Sequence, residues 1–217
     1  MVIIGVTGLN ASGKDTFANY LCKKGFYHVS LSDIIREEAR KRKLALTREN
    51  LIWLGNELRK NYGYSILAEL ALKKAEREAF GQHLVISSIR NLQEVEFLNR
   101  QKNFLLIAII ADAKKRYERY CKNPKAGMMS FEKFIELEKK EMSNSAEAQQ
   151  LHLIMKKAKV KIMNNDTIEK FYQRIDAFLK DFMPLLDKRE NWHVYFMNIA
   201  KQVATRSNCI KRKVGAV

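Results

Sequence analysis

The sequence is poor in the residues that build disulfide-bonded, zinc-binding or membrane-spanning proteins. Three of its 217 residues are cysteine, and Cys22, Cys121 and Cys209 form no C-x-x-C pair, so they build neither a disulfide framework nor a zinc site alone. Two prolines leave little linker signal. The longest apolar run, residues 104–111, is far shorter than the roughly 20 residues of a membrane helix. A globular chain without a membrane span is expected.

The N-terminus lacks the basic start, long apolar stretch and cleavage site of a secretory signal. We therefore expect the protein in the cytoplasm, without a membrane partner. Acidic residues are the minority, because 24 Asp and Glu face 40 Lys and Arg, for a formal net charge of +16. This charge favours phosphorylated ligands or polyanions. Basic stretches such as 40–43 and 211–213 are more typical of solvated faces, so nucleic acid is not the expected partner.

Short apolar runs alternate with helical patterns along most of the chain. The runs predict strands over residues 2–7, 83–89, 104–111 and, more weakly, 160–163. Helical spacing is found over residues 15–24, 48–61, 65–80, 92–101 and 167–183. This alternation predicts an α/β fold, with helices on both faces of a parallel sheet. The apolar pattern breaks near residues 184–191, which indicates a domain boundary.

The strongest motif joins the first strand to the first helix. Residues 8–14 read Gly-Leu-Asn-Ala-Ser-Gly-Lys and satisfy the G-x-x-x-x-G-K part of a Walker A phosphate loop, or P-loop. In such a loop, backbone N–H groups and the helix N-terminus point at phosphate oxygens, and the lysine adds a positive charge. The predicted nucleotide-binding residues are Gly8, Asn10, Ala11, Ser12, Gly13 and Lys14. The alternative is a glycine-bearing turn without nucleotide.

The motif departs from the strict pattern directly after its lysine. Asp15 stands where a Ser or Thr would supply a hydroxyl ligand to Mg²⁺, and Thr16 follows it. Thr16 could act one position later, or Asp15 could hold a metal-bound water. Both residues are therefore candidates for nucleotide and magnesium binding.

Further segments carry a family resemblance, notably residues 8–16, 30–36, 55–59 and 86–91. Together they resemble the N-terminal kinase domain of fused deoxycytidylate (dCMP) deaminases and, more distantly, deoxynucleoside-monophosphate, adenylate and dephospho-CoA kinases. The resemblance covers most of residues 1–180. It implies a P-loop NTPase domain of three layers, α/β/α, over residues 1–186. ATP and Mg²⁺ are the implied cofactors, and a nucleotide is the implied substrate.

The same resemblance implies arginines that hold the acceptor's phosphate. The matching positions are Arg36, Arg59 and Arg90, and a planar guanidinium suits this task because it binds phosphate through two hydrogen bonds. Structural salt bridges are the alternative explanation. Asp33 is a further substrate-binding candidate, with a role as N-terminal helix cap as its alternative.

Residues 113–120 resemble the helix that leads into the mobile lid of these kinases, where arginines close over ATP. Arg116 and Arg119 match it. The catalytic candidates are then Lys14, Arg90 and Arg116, and Arg119 is a nucleotide-binding candidate. The related kinases often carry an acidic residue near positions that are here Ser87 and Ser88. This difference weakens the magnesium site, so nucleotide binding is a safer expectation than catalysis.

Residues 192–217 resemble the opening helix and first strand of a dCMP deaminase. Deaminase chemistry needs a zinc ion held by a P-C-x-x-C pair and a further His or Cys, and that motif is absent. His193 has no such partner and is not a ligand candidate. We therefore expect residues 187–217 to be the incomplete start of a deaminase domain. Zinc and any homo-oligomer interface would belong to the missing part of a longer polypeptide.

Two functional hypotheses follow. The first is transfer of the γ-phosphate of Mg-ATP to a nucleoside or deoxynucleoside monophosphate. The second is a catalytically silent nucleotide sensor that regulates an attached zinc-dependent dCMP deaminase. A nucleic-acid-binding module is a weaker third hypothesis, suggested by net charge, and binding that vanishes at moderate salt would reduce it to general electrostatics. The acceptor stays unnamed at this level, because base selection depends on the shape of the pocket.

Overall fold

The computed structural model describes residues 1–79, 81–123, 129–141 and 151–186, together with residues 196, 197, 199–201 and 204. The chain divides into two compact units, Met1–Leu186 and Asp187–Val217. In the second unit the described residues are helical. The prediction that this unit begins a deaminase domain falls mainly on residues outside the description. The sheet and the candidate site both belong to the first unit.

The described part of the first unit contains one parallel sheet, with the strand order β2-β3-β1-β4-β5. The strands are β1 (Ile3–Thr7), β2 (Tyr27–Ser30), β3 (Leu84–Ser87), β4 (Phe104–Ile110) and β5 (Val160–Met163). Central β1 pairs Ile3 with Leu84 on one side and with Phe104 on the other. Because every pair is parallel, all carboxyl ends meet at one edge, which is where open α/β sheets bind ligands.

Helices connect and cover these strands. They are α1 (Lys14–Lys23), α2 (Leu31–Lys41), α3 (Arg48–Tyr62), α4 (Ile66–Glu78), α5 (Leu92–Asn99), α6 (Ala113–Cys121), α7 (Phe131–Glu141), α8 (Leu151–Lys157) and α9 (Ile168–Leu186). Pro184 lies inside α9, close to its end. None of the helices within the described ranges is long and apolar enough to cross a bilayer.

The hydrophobic core occupies both faces of the sheet. Every residue of β1 is buried, as expected for the central strand of a parallel sheet with helices on either side. One cluster includes Leu54 of α3 and Leu67 of α4, and the other includes Phe17 of α1 and Phe171 of α9. The predicted arrangement of a parallel sheet between two helical layers is therefore confirmed.

The apolar runs correctly predict four strands, β1, β3, β4 and β5. They miss β2 because Tyr27–Ser30 is a four-residue strand at the edge of the sheet with a single fully apolar aliphatic residue, Val29. Helices α2, α7 and α8 likewise have no counterpart among the predicted helical patterns. The missed β2 matters most, since its carboxyl end belongs to the candidate site.

Candidate nucleotide site

The loop between β1 and α1 has an unusual backbone conformation. Gly8 (φ 147°), Ala11 (φ 55°) and Gly13 (φ 103°) all have positive φ angles. Glycine adopts such angles readily, whereas Ala11 pays a steric cost, and backbone strain of this kind concentrates at ligand-binding sites. Asn10 is exposed in the same loop. The conformation is one that brings successive backbone N–H groups into a concave, anion-binding arrangement.

Neither glycine leaves room for a side chain. A Cβ atom on Gly8 would collide with the carbonyl oxygen of Ile109 in β4, and one on Gly13 would collide with the side-chain amide of Asn164. Asn164 directly follows β5. The loop is therefore packed against the carboxyl ends of two neighbouring strands, which fixes its position relative to the sheet.

Positive charge gathers at this loop. The Lys14 Nζ donates a hydrogen bond of 2.7 Å to the carbonyl oxygen of Leu9, so the ammonium group reaches back across the loop. Gly13 is the N-cap residue of α1, and the N-terminus of a helix favours anions. Ser12 is 1% exposed, and its Oγ has no hydrogen-bond partner among the residues that the structure describes. This arrangement suits a polyphosphate.

Asp15 and Thr16 lie in the first turn of α1, where Asp15 is exposed and Thr16 is half-buried. Their oxygen atoms are ligands that Mg²⁺ accepts, commonly one or two protein groups beside phosphate oxygens and water. Across the described ranges, no group of three or more His, Cys, Asp or Glu side chains could hold a metal ion. The two residues fit a magnesium ion that takes most of its ligands from a bound nucleotide and water.

Hydroxyl groups stand at the carboxyl ends of β2 and β3. The Oγ of Ser30 lies 2.8 Å from that of Ser32 and 3.2 Å from that of Ser88. Ser88 has a positive φ of 64°. We call Ser30, Ser32 and Ser88 the hydroxyl cluster. Ser87, the last residue of β3, is fully buried. One of the two positions near which the resembling kinases often carry an acidic residue thus has a buried hydroxyl here.

His28 is a site residue that the sequence analysis did not identify. Its Nε2 lies 2.8 Å from Ser87 Oγ. Burial lowers the pKa of His28, and the negative charges of Asp15 and Asp33 partly oppose that shift. The lowered pKa favours the neutral imidazole at pH 7. Its position follows from β2, and the missed strand explains the missed residue.

Asp33 and Arg36 form an ion pair in the first turns of α2. The Arg36 Nη1 donates to Asp33 Oδ1 over 2.6 Å and to Ser32 Oγ over 3.2 Å. Ser30 is the N-cap residue of α2, so the alternative of Asp33 as the helix cap is wrong. The side chains of Arg36 and Asp33 are 42% and 56% exposed. An ion pair this exposed contributes little stability and can be exchanged for a ligand.

Arg59 is engaged with a buried carboxylate. Its Nη2 lies 3.0 Å from Oε1 of Glu94, whose side chain is 0% exposed. The other oxygen of Glu94 accepts the backbone N–H groups of Arg90 (2.9 Å) and Asn91 (3.0 Å) at the start of α5. Removing the guanidinium would take away the cation that lies 3.0 Å from this buried negative charge. The geometry thus matches the salt-bridge alternative for Arg59. Arg90 itself is half-buried, three residues after β3.

Arg116 lies inside the protein and is 4% exposed. Its Nε donates to the carbonyl oxygen of Ala111 over 2.8 Å, and its guanidinium forms an ion pair with Glu138 of α7. The guanidinium carbon lies 5.8 Å from the centroid of the Phe134 ring. Burial lowers the pKa of Arg116. In this arrangement Arg116 joins α6 to α7, and a catalytic role, which stays a prediction, requires that contact to open.

Arg119 is connected to the phosphate loop through one intermediate residue. Its Nη2 donates to the carbonyl oxygen of Asn164 over 2.8 Å and contacts Asn164 Oδ1 at 3.3 Å. The Nδ2 of Asn164 donates to the carbonyl oxygen of Ser12 over 2.8 Å. Asn164 was not among the predicted site residues. Its one signal in the sequence is its place directly after a predicted strand.

A cavity of about 240 Å³ lies beside β2 and α2. It is lined by Tyr27, His28, Val29, Ser30, Asp33, Ile34, Glu37, Arg40 and Lys74. Lys74 forms an ion pair with Glu37, so both positive and negative side chains line the cavity. Since Ser30 and Asp33 belong to it, the cavity adjoins the hydroxyl cluster. It is a candidate binding place for a polar acceptor.

Comparison with known proteins identifies the family. A protein-family model described as an AAA domain matches residues 4–141. The UPF0200 protein of Methanococcus vannielii is 30% identical over 193 residues, which cover 87% of this chain and 100% of that protein. This chain belongs to the UPF0200 family. The UPF0200 protein MJ1399 of Methanocaldococcus jannaschii is 29% identical over 198 residues, which cover 90% of this chain and 98% of that protein.

Solved structures share the fold of this UPF0200 chain. TT1252 from Thermus thermophilus aligns with a TM-score of 0.56 and 21% identity, over 83% of this chain and 97% of its own. Shikimate kinase from Bacteroides thetaiotaomicron aligns with a TM-score of 0.53 and 13% identity, over 84% and 98%. With the loop geometry, these likenesses show a P-loop kinase-like fold. At such identities they show the fold alone.

The deaminase part of the resemblance receives no support from these comparisons. The two UPF0200 relatives are covered to 98% and 100% of their lengths, and neither is described as a deaminase. The family model ends at residue 141. The P-loop kinase-like part of the resemblance is confirmed, whereas a deaminase fusion is not.

Proposed function

We propose that residues 1–186 bind Mg-ATP at the phosphate loop and transfer its γ-phosphate to a small acceptor, in the first instance a nucleoside or deoxynucleoside monophosphate. The observation that carries this proposal is the Gly8–Lys14 loop, whose backbone and lysine are arranged around a helix N-terminus at the carboxyl edge of the sheet. Phosphoryl transfer requires mainly positioning and charge neutralisation. This loop can provide both. The expected cytoplasmic location would be consistent with a nucleotide substrate.

Each proposed role follows from the position of the side chain. Lys14 leaves the carbonyl of Leu9 and bonds the β- and γ-phosphate oxygens. Asp15 and Thr16 would hold a magnesium ion, directly or through water, and the ion would supply neutralisation of phosphate charge. Arg119 contributes to nucleotide binding through Asn164, which bonds both to Arg119 and to the loop.

The acceptor is proposed to enter beside α2, where the cavity adjoins the hydroxyl cluster. Arg36 is the cation best suited to its phosphate, because the ion pair with Asp33 is half exposed and exchangeable. Arg90 is the second candidate from the sequence. Arg59 is left out of the phosphate clamp, since its charge compensates the buried carboxylate of Glu94.

The test is phosphotransfer from γ-labelled ATP, with Mg²⁺ and a panel of ribo- and deoxyribonucleoside monophosphates. We expect Lys14→Ala to fold and to lower turnover by about 100-fold or more, the usual loss when one preorganised group that stabilises transition-state charge is removed. Lys23→Ala is the matched control, because Lys23 is exposed in the last turn of the same helix. Unchanged turnover in Lys14→Ala, with labelled product still formed, would overturn the assignment.

A second candidate is a nucleotide sensor without phosphotransfer, which in the dCMP deaminase interpretation regulates a zinc-dependent deaminase. It is favoured by the buried hydroxyl of Ser87 at the end of β3, where the resembling kinases often have a carboxylate. The same experiment separates the two. ATP binding that depends on Lys14, with no labelled product from any monophosphate, supports the sensor; labelled product from one acceptor supports the kinase and names its substrate.

A further inference from the structure

Asn164 has a fixed place between the sheet and the phosphate loop. It follows β5 directly and is 6% exposed. Its backbone N–H donates to the carbonyl oxygen of Ile110 in β4 over 2.7 Å. Its side-chain amide donates to the carbonyl oxygen of Ser12 over 2.8 Å. The residue thus anchors the loop to two strands that lie far from it in the sequence.

The orientation of the Asn164 amide is determined by Arg119. A guanidinium has only donors, so the atom that it contacts at 3.3 Å must be the amide oxygen. Arg119 also donates to the backbone carbonyl of Asn164 over 2.8 Å. With the oxygen turned towards α6, the amide nitrogen faces the loop. An amide turned the other way would set its oxygen against the carbonyl oxygen of Ser12.

The bond to Ser12 acts on the peptide group that would meet a phosphate. The carbonyl of Ser12 and the N–H of Gly13 belong to the same peptide unit, and a hydrogen bond accepted by the carbonyl strengthens the N–H as a donor. Gly13 is the N-cap residue of α1, and a Cβ atom there would collide with the Asn164 amide. Asn164 therefore controls both the position and the polarity of this peptide group.

We infer that Asn164 is a positioning residue for the nucleotide phosphates and that Arg119 acts on nucleotide binding through Asn164. The inference rests on the proposed nucleotide binding and deepens it. It gives Arg119 a different role from that of a lid arginine, because its effect passes through the loop backbone and needs no contact with ATP. Helix α6 and the phosphate loop are then coupled through Asn164.

The decisive variant is Asn164→Asp, which keeps the size and the contact with Arg119 but replaces the donor facing Ser12 with an acceptor. We expect its Kd for Mg-ATP, measured by isothermal titration calorimetry, to rise about tenfold or more, as when a buried hydrogen bond is replaced by an unsatisfied contact. Arg174→Leu is the matched control, since Arg174 donates to the carbonyl oxygen of Met163, one residue earlier. The control should bind ATP like the unchanged protein. Wild-type affinity in Asn164→Asp would overturn the inference.

A double-mutant cycle tests the part played by Arg119 and does not depend on the aspartate variant folding. Arg119→Leu is compared in the unchanged chain and in an Asn164→Ala background. An increase in Kd that disappears in the Asn164→Ala background supports action through Asn164, whereas an equal increase in both backgrounds overturns it and indicates direct contact with ATP. Thermal unfolding of each variant is recorded in parallel, because a merely structural role lowers Tm and leaves Kd unchanged at temperatures well below Tm.

Failure of the inference is distinguishable from failure of the proposed function. Lys14→Ala is titrated with the same ligand. If Lys14→Ala binds Mg-ATP like the unchanged protein, the assignment of the phosphate loop itself fails. If Lys14→Ala loses affinity while Asn164→Asp and Arg119→Leu do not, the nucleotide site stands and the positioning role of Asn164 is rejected.

Discussion

At the scale of single residues, three of the arginines that the sequence marks for phosphate have protein carboxylates as partners. Arg36 is paired with Asp33, Arg59 with Glu94 and Arg116 with Glu138. These pairs differ in burial, which ranges from half exposed for the first to almost fully buried for the last. Burial determines which of these arginines can bind a ligand instead of its carboxylate, because breaking an exposed ion pair costs little free energy and breaking a buried one costs much more.

Arg59→Met is expected to lower the free energy of unfolding by about 3–5 kcal/mol, because the carboxylate of Glu94 would remain buried without its cation. Urea denaturation at pH 7 measures this. The matched control is Arg42→Met, whose partners Glu38 and Glu57 are 28% exposed, and whose loss should cost about 1 kcal/mol or less. Equal losses in the two variants would show that Glu94 does not need Arg59.

His28 should make stability depend on pH. Burial lowers its pKa in the folded protein below the unfolded value of 6.5, so below that pH the unfolded chain binds more protons than the folded one. The stabilisation is complete above pH 6.5 and is lost as the pH falls towards the folded-state pKa. Urea denaturation at pH 7.5 and pH 5.5 should therefore give a larger drop for the unchanged protein than for His28→Gln. An equal decrease in the free energy of unfolding in both proteins would contradict the prediction.

At the scale of elements, helix α9 supports the phosphate loop from one face of the sheet. Phe171 of α9 is 1% exposed, and its ring lies 3.7 Å from the position that a Cβ atom on Gly13 would occupy. Phe178, two turns further along, is 5% exposed and packs against Phe17 and Phe182. Both phenylalanine side chains are buried in the same hydrophobic cluster. Phe171 is the one whose ring lies beside Gly13.

Phe171→Leu and Phe178→Leu should each lower the free energy of unfolding by about 1–2 kcal/mol, since both remove buried aromatic volume. Only Phe171→Leu should also raise the Kd for Mg-ATP, because the peptide before α1 loses its support. Chemical denaturation and calorimetric titration of the two variants check this. An equal change in ATP affinity would mean that α9 stabilises the fold without shaping the site.

At the scale of the whole molecule, the net charge of +16 raises the local concentration of phosphorylated ligands but does not select among them. In the proposed function, the Gly8–Lys14 loop selects among these ligands, because its lysine and backbone donors have a defined geometry. Arginines that are paired with carboxylates contribute less to the positive charge that a ligand at the site would experience. A strongly basic composition is therefore a weaker guide to function here than the seven-residue loop.

The sequence predicts the fold well where apolar runs are continuous and the site well where a motif is contiguous. The four correctly predicted strands and the phosphate loop are of this kind. Arg59 and Glu94 are 35 residues apart, and Asn164 and Ser12 are 152 apart. The periodicity of apolar residues along the sequence does not reveal such pairs. They form because the order of the strands in the sheet brings distant segments together. His28 was missed for a different reason. It lies in β2, a four-residue edge strand that is too short to show a periodic pattern.

The collision partners of Gly8 and Gly13 have a consequence for the order of events during synthesis. The phosphate-loop motif is complete once the ribosome has added residue 14, yet the loop is shaped by Ile109 and Asn164. A nascent chain that ends before β5 therefore has the motif but lacks the contact between Asn164 and the loop. Strand β4 must pair with β1, and β5 with β4, before Asn164 reaches the loop. Long-range contacts of this kind form slowly. If the loop binds a nucleotide as proposed, binding would require that the sheet has been completed.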